Sequence, residues 1–148
     1  MQLTIDGKTV IPREGQSLRE LVAQLGLDSP SLSRRPLAAR IAGEVFTLNY
    51  VPLRQQEGER PSLRRAMAAS GGQVRLLRFG DSTGKEVYTR TAQFVMFLAL
   101  RQLWPEAKGV LSCTLGSSVF VRVEGAPDFS ARRLKERVAA LVAEDIPL

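Results

Sequence analysis

Few side chains in this chain could carry out chemistry, and two residue counts limit them further. The 148 residues include no histidine and one cysteine, Cys113. A Ser–His–Asp or Cys–His nucleophile, an intramolecular disulfide and a Cys/His zinc site therefore cannot be built. General acid–base chemistry is left to Asp, Glu, Lys, Tyr and the chain termini. We predict no catalytic residue and no metal site in this chain.

Two short segments resemble reactive loops only in part. Residues 80–85 cluster Gly, Thr and Lys, but Glu86 follows Lys85, so the GxxxxGK[ST] phosphate loop is absent. We interpret residues 80–84 as a polar turn. Cys113 lies in a predicted strand with no histidine to activate it, so we expect a buried, inert thiol.

Positive charge is concentrated in the first part of the chain. The net charge is +6, and residues 1–80 hold twelve Lys/Arg against seven Asp/Glu. An anionic partner such as structured RNA or tRNA suits this bias, and the alternative is a solvated surface in a proteome that prefers arginine. The candidate RNA or phosphate contacts are Arg34, Arg35, Arg64, Arg65, Arg75 and Arg78.

No pattern in the sequence points to a membrane or to export. The longest apolar run, residues 94–100, is far shorter than the roughly 20 residues that a bilayer-spanning helix needs. The N-terminus lacks the basic and apolar regions of a signal peptide. With a single cysteine as well, we expect a cytoplasmic protein without a membrane partner.

The first eighty residues have the pattern of a small sheet with one helix. Asp6-Gly7 between two alternating runs predicts a β-hairpin. Ser17 and Glu20 predict a capping box at the start of an amphipathic helix. Further strands are predicted at residues 37–41, 45–48 and 74–79, the last with a basic face formed by Arg75 and Arg78, and a short helix at residues 61–69.

The remaining residues have the pattern helix, hairpin, helix. The helix at residues 90–103 is apolar nearly all round, so we expect it, and the aromatic residues here, to be buried. Strands at residues 110–115 and 119–123 follow, with Phe120 packing on that helix. The last helix, residues 128–144, begins at a cap formed by Asp128 or Ser130, and Val142 belongs to its apolar stripe. The predicted domains are residues 1–80 and 81–148, and the fold class is α+β.

The order of these elements resembles the start of threonyl-tRNA synthetases. Residues 1–80 resemble the TGS domain, a β-grasp module, through Asp6-Gly7-Lys8, Ser17-Leu18 and Ala38-Ala39-Arg40-Ile41. Residues 87–147 resemble the editing-type domain that follows it, through Gln102-Leu103-Trp104-Pro105 and Gly116-Ser117-Ser118. The resemblance implies a TGS-like β-grasp domain followed by a small α+β domain of the editing type.

The second domain departs from the synthetases at the residues that perform editing. The HxxxH pair of the family falls on Arg90 and Phe94, and the later Cys and His of that site are missing. The resemblance therefore does not extend to hydrolytic editing.

A second resemblance accounts for these departures. The chain is similar to the N-terminal region of bacterial uridine kinase-like nucleoside kinases, whose second module also lacks the His pair. The matching segments are Tyr88-Thr89-Arg90-Thr91 and Cys113-Thr114-Leu115-Gly116-Ser117. This resemblance implies a non-catalytic regulatory or binding module whose partner is a downstream kinase domain in the same polypeptide. ATP and Mg would be needed only in that domain, and we expect the chain to be an N-terminal fragment.

Three functional interpretations stay open at this point. The chain is the module of a nucleoside kinase, a stand-alone RNA- or tRNA-binding module of TGS type, or an interaction domain with no small ligand. Within the second domain, Arg90 is the residue best placed for a ligand role, in a cleft with Tyr88 and Arg122. The alternative for Arg90 is a surface arginine at a helix start.

Overall fold

The computed structural model describes residues 2–53, 67–116 and 118–145. The chain divides into two compact units, Met1–Tyr88 and Thr89–Leu148. This division falls further along the chain than residue 80, where the sequence suggested a boundary. Both units combine helices with a sheet, so the fold is α+β.

A five-stranded mixed sheet forms the first unit. Its strands, in chain order, are β1 (Leu3–Ile5), β2 (Lys8–Val10), β3 (Pro36–Ile41), β4 (Glu44–Thr47) and β5 (Gln73–Arg78). The order across the sheet is β2-β1-β5-β3-β4, in which β1 and β5 pair in parallel and the other neighbours are antiparallel. Helix α1 (Leu18–Gln24) follows the first hairpin.

The predicted hairpin is confirmed, and its turn explains why. Asp6 and Gly7 both have positive φ, 45° and 83°. A two-residue turn of type I′ requires this, and its twist matches that of the strands it joins. Ala42 and Gly43 repeat the pattern between β3 and β4, with φ of 49° and 89°.

The core of the first unit lies between α1 and one face of the sheet. Alternate strand residues meet one stripe of the helix there, and burying each large side chain contributes roughly 1.5–3 kcal/mol. The buried residues from these elements include Leu3, Ile5, Leu18, Leu21, Val22, Ile41, Val74 and Leu76.

The capping box predicted at the start of α1 is confirmed. The Ser17 hydroxyl accepts a hydrogen bond from the Glu20 N–H at 3.3 Å, and the Glu20 carboxylate accepts from the Ser17 N–H at 2.7 Å. The bond from the Ser17 backbone, and then that from its hydroxyl, lower the pKa of Glu20 from its ordinary value of 4.5. A pKa that is lower in the folded chain gives stability above the unfolded pKa and loses it as the pH falls through the folded pKa.

Removing either half of this capping box should have a distinct signature. We expect Ser17→Ala to lower the free energy of unfolding by about 1 kcal/mol at neutral pH. Glu20→Gln should flatten the decline of stability in acid, because glutamine has no carboxyl group whose pKa could differ between the folded and unfolded chains. Urea unfolding from neutral pH to about pH 3 measures both effects. Glu14→Gln, at an exposed carboxylate, is the control, and an unchanged acid limb in Glu20→Gln would contradict the assignment.

The second unit consists of helix, hairpin and helix. Helix α2 (Ser82–Leu103) begins within the first unit, and strands β6 (Lys108–Leu115) and β7 (Ser118–Glu124) and helix α3 (Ala131–Ala143) follow. Its buried cluster is small and centres on Leu100, Trp104 and Ala107. The Trp104 Nε1–H donates to Asp128 Oδ1 at 3.0 Å. Of the two candidate caps, Ser130 is the one whose side chain accepts from the first turn of α3, from the Arg133 N–H.

The start of α2 corrects the prediction of a polar turn at residues 80–84. The Asp81 carbonyl accepts from the Lys85 N–H at 2.8 Å, so the helix begins there and not near residue 90. Gly84 suggested a break, but a Cβ on it would lie 1.9 Å from the Arg78 carbonyl oxygen. Glycine is required here because the helix passes close to the backbone of β5.

The expectation that aromatic residues of the second unit are buried is confirmed for Trp104 and wrong for two phenylalanines. Phe94 on α2 is 56% exposed, and Phe120 on β7 is 51% exposed. Val119 and Val121 occupy the half-buried face of β7, so Phe120 points to the other face and does not pack on the helix. Although apolar residues surround α2 on nearly every side, the helix is not buried on every side.

The burial predicted for Cys113 and for Val142 is also wrong. Cys113 is exposed because it faces Phe120 across the β6–β7 ladder, on the open side of a two-stranded sheet. Val142, assigned to the apolar stripe of α3, is 64% exposed, whereas Leu141 beside it is buried.

The short helix predicted at residues 61–69 is only partly covered by the structure. Residues 67–69 are helical, and residues 61–66, with Arg64 and Arg65, lie outside the described residues. In the described part of the chain, no helix combines the length and apolar character that crossing a membrane requires.

Candidate functional site

Charged side chains from distant parts of the first unit meet at the end of β5. Asp6 from the first hairpin turn, Arg75 and Arg78 from β5, and Asp81 before α2 line an open depression of about 270 Å³, together with Ser33. We call these residues the β5-end cluster.

Asp6 connects the first hairpin to β5 through both carboxylate oxygens. Oδ1 accepts from the Leu76 N–H at 2.9 Å, and Oδ2 accepts from Arg78 Nη1 at 2.7 Å. The two side chains of this ion pair are only 22% and 28% exposed, so water screens it less than a surface pair. Asp6 therefore compensates the charge of Arg78 and fixes its orientation.

Arg78 in turn holds the loop that precedes β3. Its Nε–H donates to the Arg34 carbonyl at 3.1 Å. Within the loop, the N–H groups of Arg34 and Arg35 both donate to the Ser31 carbonyl, at 3.0 and 2.8 Å. The backbone that carries these two arginines is thus held at three points.

The guanidinium groups of Arg34 and Arg35 keep N–H donors for a partner, although the Arg35 Nε–H donates to the Ser29 carbonyl at 3.3 Å. Both residues are exposed. Neither forms an ion pair with any carboxylate that the structure describes. Among the residues of the predicted RNA-contact set that the structure describes, these two combine a fixed backbone with a charge that no described carboxylate balances. Their contact role stays a prediction, and Arg64 and Arg65 lie outside the described residues.

Arg75 and Arg78 do not form the single basic face that we inferred from their strand. Residues three apart on a strand lie on opposite faces. Arg75 Nη2 lies 3.5 Å from Asp81 Oδ1, whereas Arg78 pairs with Asp6. Each charge is therefore balanced by its own carboxylate, which the local sequence pattern did not reveal.

The residues of the predicted ligand cleft have different surroundings. Tyr88 is 42% exposed and packs edge-on against Phe79, with ring centroids 5.1 Å apart. Arg122 Nε lies 2.9 Å from Glu124 Oε1. Arg90 is exposed on α2 and pairs with no carboxylate among the described residues. The ligand role of these three residues stays a prediction.

The sequence analysis missed an apolar cavity in the second unit. It measures about 360 Å³, and its lining residues are Phe94, Phe97, Leu98, Leu100, Arg101, Ala107 and Gly109. A Cβ on Gly109 would lie 2.4 Å from Phe97 Cε1, so glycine is needed to leave this space. The spacing of Phe94 and Phe97 on one helical face was visible in the sequence, but we interpreted these residues as core.

Comparisons with known proteins give one consistent likeness. No family model matches the chain. It is 24% identical over 146 residues to the threonine–tRNA ligase of Clostridium kluyveri. The matched region covers 97% of this chain and 20% of the ligase. The corresponding enzyme of Desulforamulus reducens is 25% identical over 122 residues, with coverages of 80% and 17%. That of Symbiobacterium thermophilum is 25% identical over 146 residues, with coverages of 97% and 20%.

These relatives support a threonyl-tRNA synthetase-type domain over most of the chain. The resemblance to that family, expected from the order of the elements, is confirmed at this level. The chain spans about a fifth of the length of the curated relatives it matches. The resemblance to nucleoside kinases is not among these findings and stays a prediction.

Proposed function

We propose that this chain is a non-catalytic RNA-binding module of threonyl-tRNA synthetase type. The observation that carries the proposal is the exposed pair Arg34 and Arg35, held by their backbone and free of described carboxylates. Guanidinium groups bind phosphates through paired N–H donors, and a pre-positioned loop loses less conformational entropy on binding. Phosphate contacts of this kind dominate the affinity of proteins for RNA and DNA.

We also infer that the first unit is a TGS-type β-grasp. Supporting this are a mixed sheet with the parallel β1–β5 pair at its centre and α1 packed on one face. The second unit would then correspond to the editing-type domain without its chemistry. Arg90 and Phe94 stand at the positions of the family's histidines. A guanidinium is always protonated and a phenyl ring has no ionisable group, so neither replaces a histidine base.

Salt dependence of RNA binding tests this proposal. We expect the chain to bind tRNA at about 50 mM salt and to lose affinity steeply as salt rises. Arg34→Ala/Arg35→Ala should weaken binding at least tenfold and reduce the slope of log affinity against log salt by about 1.5–2, because two phosphate contacts are lost. Fluorescence anisotropy with labelled tRNA measures both quantities.

The control removes the same charge elsewhere. Arg13→Ala/Arg132→Ala changes two exposed arginines outside the β5-end cluster and its loop. It should weaken binding much less than the loop variant. An equal loss in both variants would mean that net charge alone drives binding, and undetectable binding at low salt would remove the RNA function.

A regulatory module of a uridine kinase-like nucleoside kinase is the second candidate. The segment Tyr88–Thr91, with an exposed Arg90 in place of histidine, favours it. In that case the partner is a kinase domain of the same polypeptide, which binds ATP and Mg. An antibody raised to this chain should then detect a native polypeptide far above 16.3 kDa with ATP-dependent nucleoside kinase activity. A native band at 16.3 kDa would exclude this candidate.

A further inference from the structure

The face of the five-stranded sheet opposite α1 brings two arginines together. Arg40 on β3 lies directly opposite Arg75 on β5 in the antiparallel register. Side chains of such partners extend from the same face, with Cβ atoms roughly 4.5–5.5 Å apart. Like charges in this arrangement repel each other, so an anion between them would stabilise the pair.

Of these two arginines, Arg40 is the one that has no counter-ion among the described residues. Arg75 has Asp81 at 3.5 Å, whereas Arg40 forms no ion pair with a carboxylate in the described ranges. Its hydrogen-bond partner is neutral: Nη2 donates to Thr83 Oγ1 at 2.7 Å. Arg40 is also half-buried, and its Nε–H is buried without an acceptor among the described atoms.

A half-buried cation without a counter-ion is unusual in a folded protein. Charged groups withdrawn from water are normally paired, and an unsatisfied buried donor calls for an explanation. The neighbouring depression at the end of β5 is unsuited to anions, because the carboxylates of Asp6 and Asp81 line it. Arg40 does not line this depression, and its charge has no carboxylate partner among the described residues.

We propose that Arg40, Arg75 and Thr83 form a phosphate-binding site on this face of the sheet. The Arg40 guanidinium supplies the uncompensated positive charge, and the Arg75 guanidinium, which also pairs with Asp81, supplies further N–H donors. The Thr83 hydroxyl accepts from Arg40 and still has its own proton to donate to a phosphate oxygen. The phosphate can belong to an RNA backbone or to a free phosphorylated ligand. Where it belongs to RNA, the inference deepens the proposed function and rests on it.

Two variants separate a binding role of Arg40 from a structural role. Arg40→Met keeps the length of the side chain and removes its charge. If the charge is uncompensated, this variant should be at least as stable as the wild type in chloride buffer. It should also bind phosphate at least tenfold more weakly, since hydrogen bonds to charged groups are lost. Thr83→Val, nearly the same shape without the hydroxyl, should weaken binding severalfold.

The measurement is a titration of the 148-residue chain with inorganic phosphate and, separately, with tRNA, at constant ionic strength. The side-chain Nε–H resonance of Arg40 and the melting temperature are followed in each. We expect a saturable shift of the Arg40 resonance and a rise in melting temperature with at least one probe. A shift with tRNA alone identifies an RNA backbone, and a shift with inorganic phosphate alone identifies a free ligand.

A control substitution on α1 tests whether the effect is specific to Arg40. Arg19→Met makes the same substitution at an arginine of α1 and should leave both titrations unchanged. The site is refuted if the Arg40 resonance responds to neither probe, or if Arg40→Met and Thr83→Val both keep wild-type affinity. Loss of tRNA binding in Arg34→Ala/Arg35→Ala alone, with Arg40 silent, would refute this site and leave the RNA function standing. Should Arg40→Met fail to fold, Thr83→Val decides.

Discussion

Gly84→Ala should lower the free energy of unfolding by about 3 kcal/mol or more, the upper range for overpacked sites. An added Cβ would lie 1.9 Å from the Arg78 carbonyl oxygen and 2.6 Å from its carbonyl carbon. Both atoms belong to the backbone of β5, so no side-chain rotation relieves the contact. A glycine-to-alanine change inside a helix ordinarily stabilises by roughly 0.5–1 kcal/mol, so the close approach reverses the sign.

Gly80→Ala is the matched control for this prediction. A Cβ on Gly80 meets no atom within 4 Å, and its φ lies outside the left-handed region. We expect its urea midpoint to stay close to that of the wild type. If Gly84→Ala also unfolds at the wild-type midpoint, the first turn of α2 does not pack on β5 as described here.

Asp6→Ala should destabilise the first unit by about 3 kcal/mol and also weaken RNA binding. The change removes the acceptor of the Leu76 N–H and the counter-ion of the partly buried Arg78. Hydrogen bonds to charged groups contribute about 1.5–3 kcal/mol, and an orphaned partner adds its own desolvation cost. Once Arg78 has lost this partner, we expect its bond to the Arg34 carbonyl to hold the loop that carries Arg34 and Arg35 less firmly.

Asp6→Asn separates the two roles of this carboxylate. Asparagine keeps an acceptor for Leu76 and tolerates the positive φ of 45°, but it carries no charge. We expect it to lose about half as much stability as Asp6→Ala. A double-mutant cycle with Arg78→Met, measured by urea unfolding, isolates the pair. A coupling energy near zero would show that Asp6 does not compensate Arg78.

The elements of the first unit were predictable because their signals are local. Asp6-Gly7 specifies a two-residue turn, and Ser17 with Glu20 specifies a helix start three residues apart. Each depends on the conformation or the hydrogen bonds of its own segment. The beginning of α2 was missed because the reason for Gly84 lies in another element, the backbone of β5.

The candidate sites were harder to predict because they depend on distant residues. Asp6 and Arg78 are 72 residues apart, and no spacing rule connects them. Arg40 lies opposite Arg75 through the pairing of β3 with β5, which the local sequence around either residue does not show. Burial in the second unit likewise depends on which elements cover each face of its helices and of its two-stranded sheet. The periodicity of a helix or a strand does not show this. Arg34 and Arg35 were found because charge alone identified them.

The exposed position of Cys113 makes this protein convenient to label. It is the sole thiol in the sequence and lies on the open side of the β6–β7 ladder. A maleimide fluorophore or a nitroxide spin label would therefore attach at one defined place without any prior substitution. Arg34, Arg35 and Arg40 belong to the other unit, so the label would be attached to a different unit from the proposed contacts. Its signal would report whether β6–β7 senses a ligand bound by the first unit.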